Sequence, residues 1–298
     1  MNGNCTAATD TKKNLSVKDL CERNIWKGKA QATAFWVLWF QNGVLLALFR
    51  LLILIIFTPL SLCLPLTRRR QFYRYLLLIM GIRIRCNLSW DEVKKHTDGC
   101  VVALNHISIF DHFPVLAMPG ATVMVDHSDS VFGRAVGFLL FKGSGSTYWR
   151  VSNVKQIVKN FRHWHKSPEG TALYITPEAT INNGRGLFRF RPEFMIRGRP
   201  VVPLAMKLSV PFGLTPNPLM SSGAAKFLRL IMSPCLTFNL DFLPPHTPMQ
   251  RYKDKQAEQA FADGVQNSIA EHLDIPATHF TREDKYLYRE EVSRERHI

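Results

Sequence analysis

The run Asn105-His106-Ile107-Ser108-Ile109-Phe110-Asp111 sets an imidazole and a carboxylate five positions apart. An Asp within reach of a His can hold one ring nitrogen and stabilise the imidazolium. The other nitrogen is then free to take a proton from a hydroxyl. The same spacing also suits a His closing a strand and an Asp opening a helix, with no chemistry. A second group lies in TPEATINNGRGLFRFRPEF. Glu178 follows Pro177, where a carboxylate could anchor the loop or a substrate hydroxyl. Arg185, between Gly184 and Gly186, and then Arg189 and Arg191 could receive a phosphate bidentately, or could simply form a solvated basic loop. The third group, GSGSTYWR, carries Tyr148, Trp149 and Arg150 after a glycine-rich turn, suited to form a wall for an acceptor headgroup. It is not a Walker loop, because it contains no Gly-Lys-Ser/Thr.

These residues need a scaffold, and the apolar pattern supplies one. Short apolar runs bounded by turn signals read as buried strands: Val101 to Leu104, Ala121 to Val125, Thr171 to Thr176, Val201 to Met206 and Cys235 to Phe242. Between them, Val151, Val154, Ile157, Val158 and Phe161 fall on one helical face. Alternating strands and helices imply an α/β fold with a mixed, largely parallel sheet covered by helices. Ligands gather at the C-terminal ends of such strands, and Asn105 and His106 sit at one. From 251 to 298, Ala257, Phe261, Val265, Ile269 and Leu273 recur every four residues as an amphipathic helix, and a charged tail comes after it as an exposed helix or a disordered end. The core domain is expected over 67–250.

Residues 34–66 form the dominant apolar stretch, after a polar segment over 1–33. The length suffices for a membrane span. Arg50 interrupts it, and such a residue can snorkel to an interface. Basic flanks lie on both sides: Lys27 and Lys29 before it, Arg68, Arg69 and Arg70 after it. That favours a membrane-embedded hairpin, bent at Asn42-Gly43 or Pro59, with both ends in the cytosol. The next segment, RRRQFYRYLLLIMGIRIR, reads as an interfacial helix on anionic lipid or as an ordinary amphipathic helix against the core. Lys and Arg number 38 against 23 Asp and Glu, a net +15 that draws the chain to polyanions. Without a recognition motif, nucleic acid is not the expected partner. The six cysteines form no C-x-x-C pair, so no metal is implied and free thiols are expected.

In their order along the chain, the motifs resemble the glycerolipid acyltransferase superfamily: Asn105, His106 and Asp111; Tyr148 to Arg150; Pro177 and Glu178; and Val202, Pro203 and Leu204. The resemblance implies His106 as general base on an acceptor hydroxyl, Asp111 as its orienting partner and acyl-CoA as co-substrate, with no bound cofactor. The Pro-Glu loop and the aromatic-Arg block would hold the acceptor, usually a phosphate-bearing glycerol. The stretch before the domain, LNHISIFDH, PEATINNGRGLFRF and FADGVQNSIAEHLDIPATHFTREDK are similar to the ancient ubiquitous protein branch, found at the endoplasmic reticulum and lipid droplets. That similarity runs from about residue 35 to about residue 290. The usual loop reads P-E-G-T-R, whereas Ala179 and Ile181 stand here for its Gly and Arg. Arg185 or Arg189 would then have to meet the phosphate. Members of the branch usually continue into a ubiquitin-binding CUE module, and this chain stops at Ile298, so ubiquitin binding by that route is not expected. Two functions are implied: acyl transfer to a lysolipid at the cytosolic face of the endoplasmic reticulum and droplets, or a non-catalytic scaffold there with protein partners in droplet organisation and protein degradation.

Overall fold

Val101-Val102-Ala103-Leu104 is apolar at every position, so a strand here must be covered on both faces. In the computed structural model, which describes residues 15–126, 131–151, 154–166, 171–195, 198–249 and 252–295, it is. The chain runs through α1 (Lys29–Ala34), a π-turn (Phe35–Trp39), α2 (Phe40–Ser61), α3 (Leu66–Ile79), β1 (Ile82–Cys86), α4 (Trp90–Thr97) and β2 (Val101–Leu104). It continues with α5 (His112–Leu116), β3 (Ala121–Asp126), α6 (Val131–Ser144), β4 (Thr147–Val151), α7 (Val154–His165) and β5 (Ala172–Ile175). Then come β6 (Val201–Ser209), α8 (Gly223–Met232), β7 (Leu236–Phe242), α9 (Lys255–Leu273) and α10 (Arg282–Glu295). The sheet order is β1-β7-β6-β2-β5-β3-β4. All neighbours are parallel except β6 and β7.

Side chains alternate across the strands and so feed two cores. Val102, Leu104, Tyr174, Val202 and Leu204 pack with Leu76, Leu77, Leu116 and Leu140 on one face. Val101, Ala103, Leu173, Ile175 and Ala205 pack with Ile157, Phe161, Val265 and Ile269 on the other. The expected amphipathic helix is α9, and it closes this second face. α10 is not merely an exposed end: its Tyr288 and Val292 are buried with Leu20 of the N-terminal segment.

Two strands depart from the expected pattern. Gly81, at φ +74, ends α3, and Ile82 to Cys86 then alternate inward and outward as an edge strand rather than extending the helix. The glycine-rich stretch starts in the last turn of α6, turns at Gly145 (φ +77) and leads through Ser146 straight into β4. α3 itself is a core helix on one side: Tyr73, Leu76, Leu77 and Met80 are buried. Several of its arginines also turn inward. Arg69 donates to the carbonyls of Leu62 and Leu64, and Arg74 lies 3.9 Å from the Trp90 ring centre.

The apolar stretch is a helix without the expected bend, continuous through both Asn42-Gly43 and Pro59. From Lys29 to Ser61 it counts 33 residues, long and apolar enough to cross a membrane. Yet it is fastened to the domain along its length. Trp39 Nε1 donates to the Met232 carbonyl at 2.7 Å. Arg50 does not snorkel: it is 2% exposed and donates to the carbonyls of Ile231, Ser233 and Pro234 at 2.6–2.9 Å. Ser61 Oγ reaches the Gly143 carbonyl at 3.2 Å. Positions 39, 50 and 61 recur every 11 residues, three turns apart on one helix stripe. Trp39 and Arg50 thus cap the C-terminus of α8, whose last carbonyls have no intrahelical donor. The other side exposes Leu45, Leu48, Phe49, Leu52, Ile55 and Ile56. Leu78 and Ile79 of α3, Phe138 of α6 and Leu228 of α8 are exposed as well.

Arg50→Leu leaves three carbonyls without donors, two of them on buried residues. Chemical unfolding in detergent is expected to show a loss of about 2–4 kcal/mol. Arg68→Leu, at an exposed position of α3, is expected to stay within about 0.5 kcal/mol.

Candidate active site

β2 ends at Leu104, and the side chain after it ties this strand end to β6. Asn105 Nδ2 donates to the Met206 carbonyl and its Oδ1 accepts the Met206 N–H, at 3.0 and 2.8 Å. It is 1% exposed and bridges two backbones, so it is a structural residue and not the substrate contact the motif suggested. The loop then wraps around the Asp111 carboxylate. Its Oδ2 accepts the N–H groups of Ile107 and Ser108 at 2.6 and 2.9 Å, and meets His106 Nδ1 at 2.9 Å. Ser108 Oγ accepts the Phe110 N–H and tightens the same turn.

An oxygen that already accepts two amide protons needs a donor from the ring, so Nδ1 carries the proton and Nε2 keeps its lone pair. The Asp111 side chain is fully buried, while that of His106 is 17% exposed. A substrate can therefore reach the imidazole but not the carboxylate behind it. His112 sits with its ring centre 6.0 Å from that of His106. Burial, with the charge of His106 added, pushes its pKa down to about 3, and its Nδ1 has no partner among the described residues. His112 is thus neutral near pH 7 and leaves the proton chemistry to His106.

The loop after β5 is bound to the same place from behind. Glu178 is fully buried. Oε1 accepts the His106 N–H at 2.7 Å and Oε2 the Phe188 N–H at 2.8 Å, while Asn182 Nδ2 donates to both. Asn182 N–H in turn donates to the His106 carbonyl at 2.7 Å. Glu178 anchors the loop; both oxygens are taken and neither is offered to a substrate. Burial raises its pKa to about 8, against the pull of these donors and of nearby Lys285. Ala179 occupies the left-handed region at φ 52, a conformation that suits the glycine it replaces.

The arginines expected to meet phosphate are engaged elsewhere. Arg189 forms a two-armed pair with Asp263 at 2.8 and 3.1 Å. Arg185 pairs with Glu22 at 3.2 Å, and Arg191 with Glu193 and Glu283. Most of these carboxylates lie far along the chain and gave no local signal. Tyr148 and Arg150 lie in β4, but their side chains are outside the described residues. The structure therefore brings together His106, Asp111, Glu178 and Asn182, of which Asn182 was missed. An Asn four residues after a buried Glu was its only trace in the sequence.

Glu178→Gln turns an accepting oxygen into a donor facing N–H groups, and urea unfolding is expected to show a loss of about 2–4 kcal/mol. Ala179→Gly relieves the left-handed backbone and is expected to gain up to about 1 kcal/mol. For His112 the folded pKa is depressed, so the unfolded chain takes up its proton first as the pH falls below about 6.5. Stability is then lost progressively toward pH 3, with a slope of at most about 1.4 kcal/mol per pH unit. His112→Phe is expected to flatten that slope in urea titrations repeated across the range.

Comparison with known proteins gives a consistent relationship. The chain is 24% identical over 270 residues to the lipid droplet-regulating VLDL assembly factor AUP1 of Danio rerio, covering 84% of this chain and 60% of that one. It is 26% identical over 199 residues to human lysophosphatidylcholine acyltransferase 1, covering 64% of this chain and 36% of the relative. The chain thus spans less than two thirds of the length of these relatives. No protein-family profile matches it. The fold is that of the Thermotoga maritima 1-acyl-sn-glycerophosphate acyltransferase PlsC, with a TM-score of 0.50, 14% identity and coverage of 78% of this chain and 97% of the other. In sequence the chain is similar to AUP1 and to lysophospholipid acyltransferases, and in fold to a 1-acyl-sn-glycerophosphate acyltransferase.

Proposed function

We propose that this protein transfers an acyl chain from acyl-CoA to the hydroxyl of a lysoglycerolipid at a membrane surface. The observation that carries the reading is the His106–Asp111 pair, with Nδ1 held at 2.9 Å and the ring reachable from solvent. Nε2 takes the proton of the acceptor hydroxyl as its oxygen attacks the thioester carbonyl. The tetrahedral adduct collapses, the C–S bond breaks, and the leaving thiolate recovers the proton from the imidazolium. Asp111 stabilises that imidazolium, and two amide donors keep its charge in place.

The membrane attachment in this reading is monotopic. α2 is tied to the domain at Trp39, Arg50 and Ser61, so a perpendicular crossing would have to break those contacts or draw the domain into the bilayer. A helix lying in one leaflet keeps them and buries the exposed Leu, Ile and Phe side chains. Such an anchor suits both a bilayer and the monolayer of a lipid droplet, in keeping with the droplet regulation named for AUP1. The domain would face the cytosol at the endoplasmic reticulum.

A second reading has one observation in its favour. The loop has lost its Arg at Ile181, and Arg185 and Arg189 are held by Glu22 and Asp263. A fold kept for binding alone, as a droplet or reticulum scaffold, would tolerate this.

Acyl transfer from labelled acyl-CoA, measured on membranes with a panel of lysolipids, separates the two. The enzyme reading expects product from wild type and a loss of about 100-fold or more in His106→Ala. Wild type as inert as His106→Ala across the panel would leave only the scaffold.

A further inference from the structure

His106 is held by its main chain as well as by its ring. Its N–H donates to Glu178 Oε1 and its carbonyl accepts the Asn182 N–H, both at 2.7 Å. Both partners lie in the loop after β5, so the imidazole goes where that loop places it. α10 reaches the same loop: Lys285 Nζ donates to the carbonyl of Ile181. That carbonyl and the Asn182 N–H belong to one planar trans peptide unit and point in opposite directions. A cation on the oxygen polarises the unit and makes the N–H a stronger donor. An unbroken path thus runs from the ammonium through peptide 181–182 to the His106 carbonyl.

Burying an ammonium is costly unless polar partners replace its water. Lys285 is 8% exposed, and its Nζ lies 5.6 Å from the centre of the Phe188 ring, whose backbone N–H donates to Glu178 Oε2. The helix that carries it is fixed from the same side. Tyr288, three residues on, shares its helix face, is buried with Leu20 and Phe188, and accepts from Arg23 Nε at 2.7 Å. The N-terminal segment grips the loop as well. Asn183 Nδ2 donates to the Asp19 carbonyl at 2.7 Å, and a Cβ on Gly186 would lie 2.7 Å from Leu20 Cδ2. The loop is clamped between these two segments, and Lys285 sets the orientation of the peptide that donates to His106.

We propose that Lys285 is a positioning residue: through peptide 181–182 it fixes the His106 backbone, and with it the direction of Nε2. It acts through the backbone and not on substrate. Its effect on rate rests on the acyl-transfer reading; its hold on the loop does not. Without the ammonium, the 181–182 peptide is free to rotate and the His106 carbonyl loses its donor. Nε2 then samples directions that miss the acceptor hydroxyl, and a displacement of about 1 Å can slow such a step by about 100-fold. Substrate binding is left as it was, so the loss falls on kcat and not on KM.

Kinetics and amide hydrogen exchange on the detergent-solubilised full chain test this with Lys285→Met, which keeps an apolar stem and removes the charge. With labelled acyl-CoA and the lysolipid that wild type acylates fastest, kcat is expected to fall about tenfold or more, while both KM values stay within about twofold. Lys285→Arg, which restores a cationic donor, is expected to recover most of the rate. Exchange at the Asn182 amide is expected to quicken about tenfold or more in Lys285→Met, with the Tyr288 amide of α10 within about twofold of wild type. An unchanged kcat in Lys285→Met would overturn the proposal. So would Asn182 and Tyr288 amides that quicken together, because Lys285 would then only hold α10 in place. Wild type as inert as His106→Ala removes the enzyme reading alone. The Asn182 exchange then decides, and an unchanged rate there would contradict the hold of Lys285 on the His106 backbone.

Discussion

The Glu178 carboxyl group is buried where water cannot reach it, and a buried polar group persists there only if the protein supplies its hydrogen-bond partners. Those donors come from three segments: the His106 amide at the end of β2, Asn182 in the loop after β5, and the Phe188 amide beyond it. Satisfying one carboxylate therefore fixes the relative position of two loops that belong to neighbouring strands. Asp111 then does for the His106 side chain what Glu178 does for its backbone. This second buried acid accepts two amides and orients the ring. The site is held on the main-chain side by one carboxylate and on the side-chain side by another, and neither faces substrate.

The same rule explains where much of the positive charge goes. A net +15 suggests a cationic surface, but several arginines cap helix ends or fill ion pairs. Arg50 closes α8, Arg69 closes the turn after α2 and touches the Lys142 carbonyl of α6, and Arg189 is neutralised by α9. An arginine within an apolar helix thus has a local electrostatic cause, the orphan carbonyls of a helix C-terminus. Gly81 is part of the same arrangement: a Cβ there would lie 2.8 Å from the Pro234 carbonyl and collide with the Arg50 guanidinium. The packing of α2 onto the domain depends on these contacts, and the apolar side left over is what a membrane leaflet would cover.

Much of the scaffold was legible because its signals are local. Most of the strands are short, largely apolar runs, β7 alternates apolar with polar residues, and the His106–Asp111 pair is formed within a single turn. β1 was misread because Ile-Arg-Ile-Arg comes directly after a basic helix, and Gly81 was the only stop signal between them. The roles of Glu178 and Asn105 were not legible. Their partners lie 72 and 101 positions away, and only the pairing of β2 with β6 and β5 brings them close. The arginines were misassigned for the same reason: Arg189 meets a carboxylate 74 residues on, and no spacing rule connects them. Local geometry is written in the sequence, whereas the satisfaction of buried charge is settled by topology.

The proposed chemistry turns on which nitrogen of His106 holds the proton. Nitrogen-15 NMR of histidine-labelled protein in detergent, with His106→Gln to assign the signal, reads this directly. A neutral His106 protonated at Nδ1, with a free Nε2, is expected in wild type, and loss of that preference in Asp111→Ala. A ring protonated at Nε2 in wild type would contradict it, because the nitrogen required as base would already be occupied.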